Sequence, residues 1–194
     1  MTSTDVAVPT TDTLAPLSRA SREAAVTTYL TIARDQLAHA LEASGAEAVA
    51  AVKAEIATAA DATKHLGLSK EIQADALEMV RRAEYTLGKA IRKGQEAGEI
   101  AKRSDNLTPG GGPRRQEDTR SSLPSSKEFF SNGDERTETY VMADGATDEE
   151  FADVLTEARE EGNLSRANVV RKVKGQDSKR TRAQLANDIE ALAV

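Results

Sequence analysis

The apolar positions of this chain fall into three helical seams followed by a change of pattern. Over residues 17–43, Val26, Leu30, Ala33, Leu37 and Ala40 step by 4, 3, 4 and 3, one face of a 3.6-residue period. Ser44-Gly45 breaks the pattern, and residues 46–66 resume it with Val49, Val52, Ile56, Ala59, Thr63 and Leu66. Gly67 is the expected stop and Ser69 the expected cap of a third, longer helix. Its seam is Ile72, Ala76, Met79, Ala83, Leu87 and Ala90, flanked by Val80 and Ile91. Three coiled-coil-like seams joined by short Gly-containing turns predict an antiparallel helical bundle or hairpin over residues 17–103. Ten of the twenty residues 43–62 are alanine, so the seam is thin and each buried methyl contributes little. Self-association, most simply as a homodimer, is therefore expected of this bundle. Gly88, Gly94 and Gly98 are expected to weaken the third helix toward its end, each by about 1 kcal/mol relative to Ala.

Residues 107–115, LTPGGGPRR, cannot form regular structure, and SSLPSS follows at 121–126. A flexible linker is expected across 104–126. Its glycines lack the Lys-Ser/Thr that a phosphate loop requires. Beyond it, Phe129, Phe130, Tyr140 and Phe151 fall within 23 residues, the one aromatic concentration of the chain. A small multi-helix module over 127–175 is predicted, with these rings buried against Val154, Leu155, Leu164 and Val170. Asp134 is expected to cap a helix ending near Ala143, with Gly145 as its stop. Asp148 is expected to cap another, its apolar face carried by Phe151, Val154, Leu155 and Ala158. Gly162 then ends that helix, Asn163-Leu164 turns the chain and Ser165 caps a basic helix. Helix, Gly-containing turn and basic second helix form the outline of a helix-turn-helix. Residues 176–194 read as a basic tail finishing in a short amphipathic helix through Leu185, Ile189 and Leu192, and residues 1–16, rich in Thr, Ser and Pro, as a disordered N-terminus. The fold class expected is all-α.

Composition narrows the class of activity. Cysteine is absent, so disulfide and thiol chemistry are excluded. No apolar run approaches the roughly 20 residues of a membrane span, and the N-terminus lacks the pattern of a signal peptide. A cytoplasmic protein with no membrane partner is expected. The net charge of −6 conceals segregation: residues 80–115 carry nine Lys/Arg against four acids, 116–163 four against fourteen, and 164–182 seven against one. Blocks of this kind predict separate charged surfaces, two of them suited to polyanions.

Within the basic helix, Arg166 and Asn168 lie at the N-terminal end, where bidentate contact to base edges is the expected role. Arg171, Lys172, Lys174, Lys179, Arg180 and Arg182 lie further along and are expected to meet phosphate. His39 and His65 fall on different helices with no metal-ligand spacing, no nucleophile-base arrangement assembles, and the acidic run 144–153 lacks the alternating oxygen ligands of a calcium loop. No enzymatic activity, metal or cofactor is expected.

Two stretches carry a resemblance. RRAEYTLGKAIRKGQEAGEIAKR (81–103) and TYVMADGATDEEFADVLTEAREEGNLSRANVVRKVK (139–174) resemble small, uncharacterised helical proteins of phages, prophages and plasmids, many from actinobacteria, over about 30 % of the chain. Gly-Asn-Leu-Ser-Arg at 162–166 also resembles the helix-turn-helix of ParB-type partition proteins, although no ParB-type nucleotide-binding segment is visible. The resemblance implies a mobile-element context. The functional expectation is a DNA-binding accessory or regulatory protein; the alternative is a non-enzymatic adaptor whose bundle binds a host or phage protein.

Overall fold

The structure is a computed structural model in which residues 17–43, 45–102 and 123–192 are described. The expectations for residues 1–16 and for the linker up to residue 122 lie outside them. The fold is all-α, with six helices among the described residues: α1 (Arg19–Ala43), α2 (Gly45–His65), α3 (Lys70–Ala97), α4 (Gly133–Gly145), α5 (Asp148–Glu160) and α6 (Arg166–Leu192).

The first three helices pack as a bundle. Leu30, Ala33, Leu37 and Ala40 of α1 are buried against Val49, Ile56 and Ala60 of α2 and the Ala76, Met79, Ala83, Leu87 and Ala90 seam of α3. Glu23, early in α1, accepts a hydrogen bond from the Ser69 N–H at the start of α3 (2.8 Å). Near the other end, Lys93 of α3 donates to the Leu41 carbonyl (3.2 Å). Those two contacts make α1 and α3 run the same way, with α2 returning between them. Ser69 does occupy the N-cap of α3, yet its side chain makes no capping bond. Leu66 departs from its expected place in the seam, because α2 stops at His65 and the chain reverses at Gly67 with φ +61°. Leu66 is left exposed and Leu68 is buried in its stead.

α3 is the helix about which both halves are organised. One face closes the bundle; the opposite face receives α4, α5 and α6. Gly88 lets α4 come close: a Cβ there would lie 2.6 Å from the Ala143 Cβ and 3.0 Å from the Thr139 carbonyl oxygen. So Gly88, expected to weaken the helix, is a contact point, while Gly98 ends α3 in the left-handed region at φ +76°.

This seating corrects the expected closure of residues 127–175 upon themselves. Phe151 is buried with Val154, Leu155, Leu164 and Val170 as expected, but Tyr85 of α3 completes that core. The Tyr85 and Phe151 rings stack with centroids 4.1 Å apart and planes 8° from parallel. Phe129, Phe130 and Tyr140 instead pack against the bundle core. A unit of some fifty residues buries a small fraction of its surface on its own, and a face of α3 adds to that core.

Local boundaries shift for identifiable reasons. Asn132 and Thr147, rather than Asp134 and Asp148, cap α4 and α5, and Thr147 forms a reciprocal capping box with Glu150. Residues 123–126, expected to end the linker, already belong to the fold: Ser125 bridges Ala101 and caps a short 3-10 turn at Ser126–Phe129. The helix that begins at Arg166 runs unbroken through Gly175 to Leu192, so the basic tail and short terminal helix expected at 176–194 are one continuation of α6.

Candidate nucleic-acid interface

α5, a turn at residues 161–165 and α6 form the element on which the nucleic-acid expectation rests. Gly162 supplies the positive φ (+68°) that ends α5. The Asn163 N–H then bonds to the Ala158 carbonyl (2.9 Å), and Ser165 accepts the Asn168 N–H at the start of α6. Val169, Val170 and Val173 point inward, and Val173 packs against Gly145 at the end of α4. Two helices are thus held at a fixed angle by a capped turn, with α4 behind them.

The two residues expected to approach base edges are turned into the protein. Arg166, the first residue of α6, ion-pairs with Glu84 of α3 and approaches Glu135 (3.6 Å) and Glu138 (3.8 Å) of α4. Its hydrogen bonds to Glu84 hold the guanidinium pKa above its ordinary value, against the opposing effect of burial. A cation on the first turn opposes the helix dipole, and these carboxylates offset that cost. Asn168 is 5 % exposed. Its amide nitrogen donates to the Asn163 carbonyl (2.8 Å) and to Glu161 (3.2 Å), while its oxygen accepts from Arg171 (2.6 Å). Both ends of the amide are occupied in holding the turn.

Among the residues expected to meet phosphate, Lys172 is also committed. It pairs with Glu161 (2.7 Å) and Glu157 (3.1 Å) across the α5–α6 junction. Arg171, Lys174 and Arg182 are exposed, and none has an ion-pair partner among the described residues. Lys179 and Arg180 lie on α6 with side chains outside those described.

The residues that sequence reasoning missed lie beneath this surface. Glu84, fully buried, sits between Arg81 on its own helix and Arg166. Glu135 of α4, 6 % exposed at its side chain, pairs with Lys53 of α2. Burial pushes the Glu135 carboxyl up, but hydrogen bonds from Lys53 and Ser131 outweigh it and hold the pKa at about 2. With Glu138, three cations and three carboxylates from α2, α3, α4 and α6 form one charge-balanced network. Removing one partner of its buried pairs, Arg81–Glu84 or Lys53–Glu135, leaves the other charge buried and poorly compensated. A signal for it stands in the sequence: along the line Val80, Glu84, Leu87, Ile91 a carboxylate occupies an apolar position of a helical seam.

The same logic accounts for the charge blocks. Lys89 and Arg92 of the first basic block reach Asp148 and Asp144 of the acidic block. Tyr85 shares Asp148, donating to its carboxylate (2.7 Å); burial, with that carboxylate adding to it, pushes the phenol up to about 12. Much of the segregated charge is consumed in joining the halves of the protein. Among the described residues no group of three or more His, Cys, Asp or Glu is placed to hold a metal ion, and no helix is long and apolar enough to cross a membrane. Comparison with known proteins returned no matching family model, no matching curated protein and no matching solved structure.

Proposed function

We propose that the protein binds duplex DNA through the outer face of α6, gripping phosphates rather than reading bases. The observation that carries this reading is the set Arg171, Lys174 and Arg182. They are exposed, separated by 3 and 8 residues, and unpaired with any acid among the described residues, on a helix whose neighbouring cations Arg166 and Lys172 are neutralised. Positions i, i+3 and i+11 share one side of an α-helix, and at 1.5 Å per residue they span about 16 Å. A row of that length follows a phosphate backbone. With Arg166 and Asn168 occupied, sequence preference is weak, and the role is that of an accessory protein coating or bending DNA. The phage and plasmid setting implied by residues 81–103 and 139–174 accords with such a role.

The test is fluorescence anisotropy on a mixed-sequence 30-base-pair duplex over a range of salt. Three phosphate contacts give a slope of log affinity against log salt near −2.7, at about 0.9 per contact. Arg171→Glu/Lys174→Glu/Arg182→Glu should abolish binding while leaving the circular dichroism spectrum intact. No binding of the wild type at 50 mM salt, or equal binding by the triple variant, refutes the proposal.

The adaptor reading draws support from the internal pairing of Arg81, Lys89, Arg92, Arg166 and Lys172, which removes those cations from contact with a polyanion. Leu17, Ile32 and Leu66 stand exposed on the bundle and support its self-association. Sedimentation velocity at tens of micromolar tests that: a dimer supports it, a monomer counts against it.

A further inference from the structure

At the end of the bundle away from Ser69, the C-terminus of α1, the N-terminus of α2 and the C-terminus of α3 surround a half-open groove of about 720 Å³. Its floor is apolar and shallow-chained: Ala46 and Ala90 are buried there beside Ile100, with Phe129 closing one side. Ile100 lies where a side chain at Gly94 would stand, its Cδ1 2.8 Å from that Cβ position, so the floor is fixed by a glycine and an isoleucine that occupy each other's space.

The rim is predominantly acidic. Glu42, Glu47, Glu99 and Glu128 line it against a single cation, Lys93. Lys93 is directed at the Leu41 carbonyl (3.2 Å), and Glu128 accepts the Ser125 N–H (2.9 Å). Glu42, Glu47 and Glu99 have no ion-pair partner among the described residues.

We propose that the groove docks a partner protein through a short segment in which apolar side chains are flanked by Lys or Arg. The apolar residues would lie on the alanine floor, and the flanking cations would meet the glutamates. A half-open groove suits a peptide better than a small molecule, whose sites enclose most of the ligand, and an amphipathic helix laid in an apolar groove is a recurrent mode of recognition. None of the groove residues lies on α6, so the inference is independent of DNA binding.

The test uses the full chain, isotope-labelled, titrated with three 14-residue peptides. The first carries two leucines one turn apart flanked by arginines; the second has glutamate for each arginine; the third has serine for each leucine. The expected result is saturable binding of the first peptide, with shifts confined to Ala46, Ala90, Ile100 and Phe129, and at least tenfold weaker binding of both controls. Glu42→Lys/Glu99→Lys should weaken the first peptide at least tenfold and bring the glutamate peptide up to comparable affinity. Both substitutions are at exposed positions, and a lysine at 42 complements the C-terminal end of α1. Ala97→Leu, which fills the groove from its exposed edge, should weaken the arginine peptide without reversing the charge preference. Absence of saturable binding, shifts outside the groove, or indifference to the charge of the peptide or of the rim overturns the proposal.

Discussion

Replacing Glu84 by Gln preserves the shape of the side chain and removes only its charge. The carboxylate is fully buried and is shared by Arg81 and Arg166. In the variant the amide oxygen serves one guanidinium while its NH2 faces the other. Arg81, 9 % exposed and already carrying an unpartnered Nε, has no nearby acid to replace Glu84 at hydrogen-bonding distance. Breaking a buried pair by removing one partner costs about 3–5 kcal/mol. Arg166 is 29 % exposed at its side chain and keeps Glu135 and Glu138 within 4 Å, which places the expected cost near the lower end, about 3 kcal/mol. With a urea dependence of about 2 kcal/mol/M, the unfolding midpoint should fall by roughly 1.5 M. Arg166→Met alone should destabilise as well, and the double variant Glu84→Gln/Arg166→Met should be less damaged than the sum of the two, by at least about 1 kcal/mol of coupling. A midpoint shift under roughly 0.3 M, or additivity of the two changes, would show that the charges do not hold α3 to α6.

Two glycines in helices should respond with opposite signs. Gly88→Ala gains about 1 kcal/mol of helix propensity but drives a Cβ onto Ala143 and the Thr139 backbone, so a net loss of about 1–2 kcal/mol is expected; Gly175→Ala meets nothing within 4 Å and should stabilise, both read by chemical denaturation. Tyr85→Phe removes the hydroxyl bonded to Asp148 (2.7 Å) and the Ala146 carbonyl (3.2 Å), with an expected cost of about 1–2 kcal/mol by thermal melt. Acid should unpick the network in a defined window. The Glu135 carboxyl is depressed from 4.5 to about 2, so its stabilisation, on the order of 3 kcal/mol, is present above pH 4.5 and lost as pH falls toward 2. Glu135→Gln should flatten the stability profile across that window, and an unchanged profile would remove Glu135 from the account.

The seams of α1 and α2 were legible because each of those helices has one buried stripe and solvent on its other side. α3 has two buried stripes, and the bundle seam Ala76–Met79–Ala83–Leu87–Ala90 masks the second, on which Arg81, Glu84, Tyr85 and Gly88 meet α4, α5 and α6. A polar residue on such a stripe is indistinguishable by composition from one facing water; only its place in the line from Val80 to Ile91 marks it. The aromatic cluster misled for a related reason. Proximity in sequence groups Phe129, Phe130, Tyr140 and Phe151, whereas α4 lying on Gly88 sends the first three to one core and Phe151 to the other.

Charge blocks have two physical meanings, and reach after folding decides between them. An acidic block lying between two basic ones in the chain becomes a partner to both if its helices are placed between theirs, as α4 and α5 lie between α3 and α6. Carboxylates of that block then neutralise cations on either side: Asp144 takes Arg92, Asp148 takes Lys89, and Glu157 and Glu161 take Lys172. That pairing stops where one helix outruns its neighbour. α5 has thirteen residues and α6 twenty-seven, so the acids of α5 serve the first turns of α6 and no more. Any attraction for a polyanion that the +6 block retains is therefore to be sought at Lys174 and beyond, with Arg171 at its near edge, and not at the Arg166 end where a recognition helix would place it.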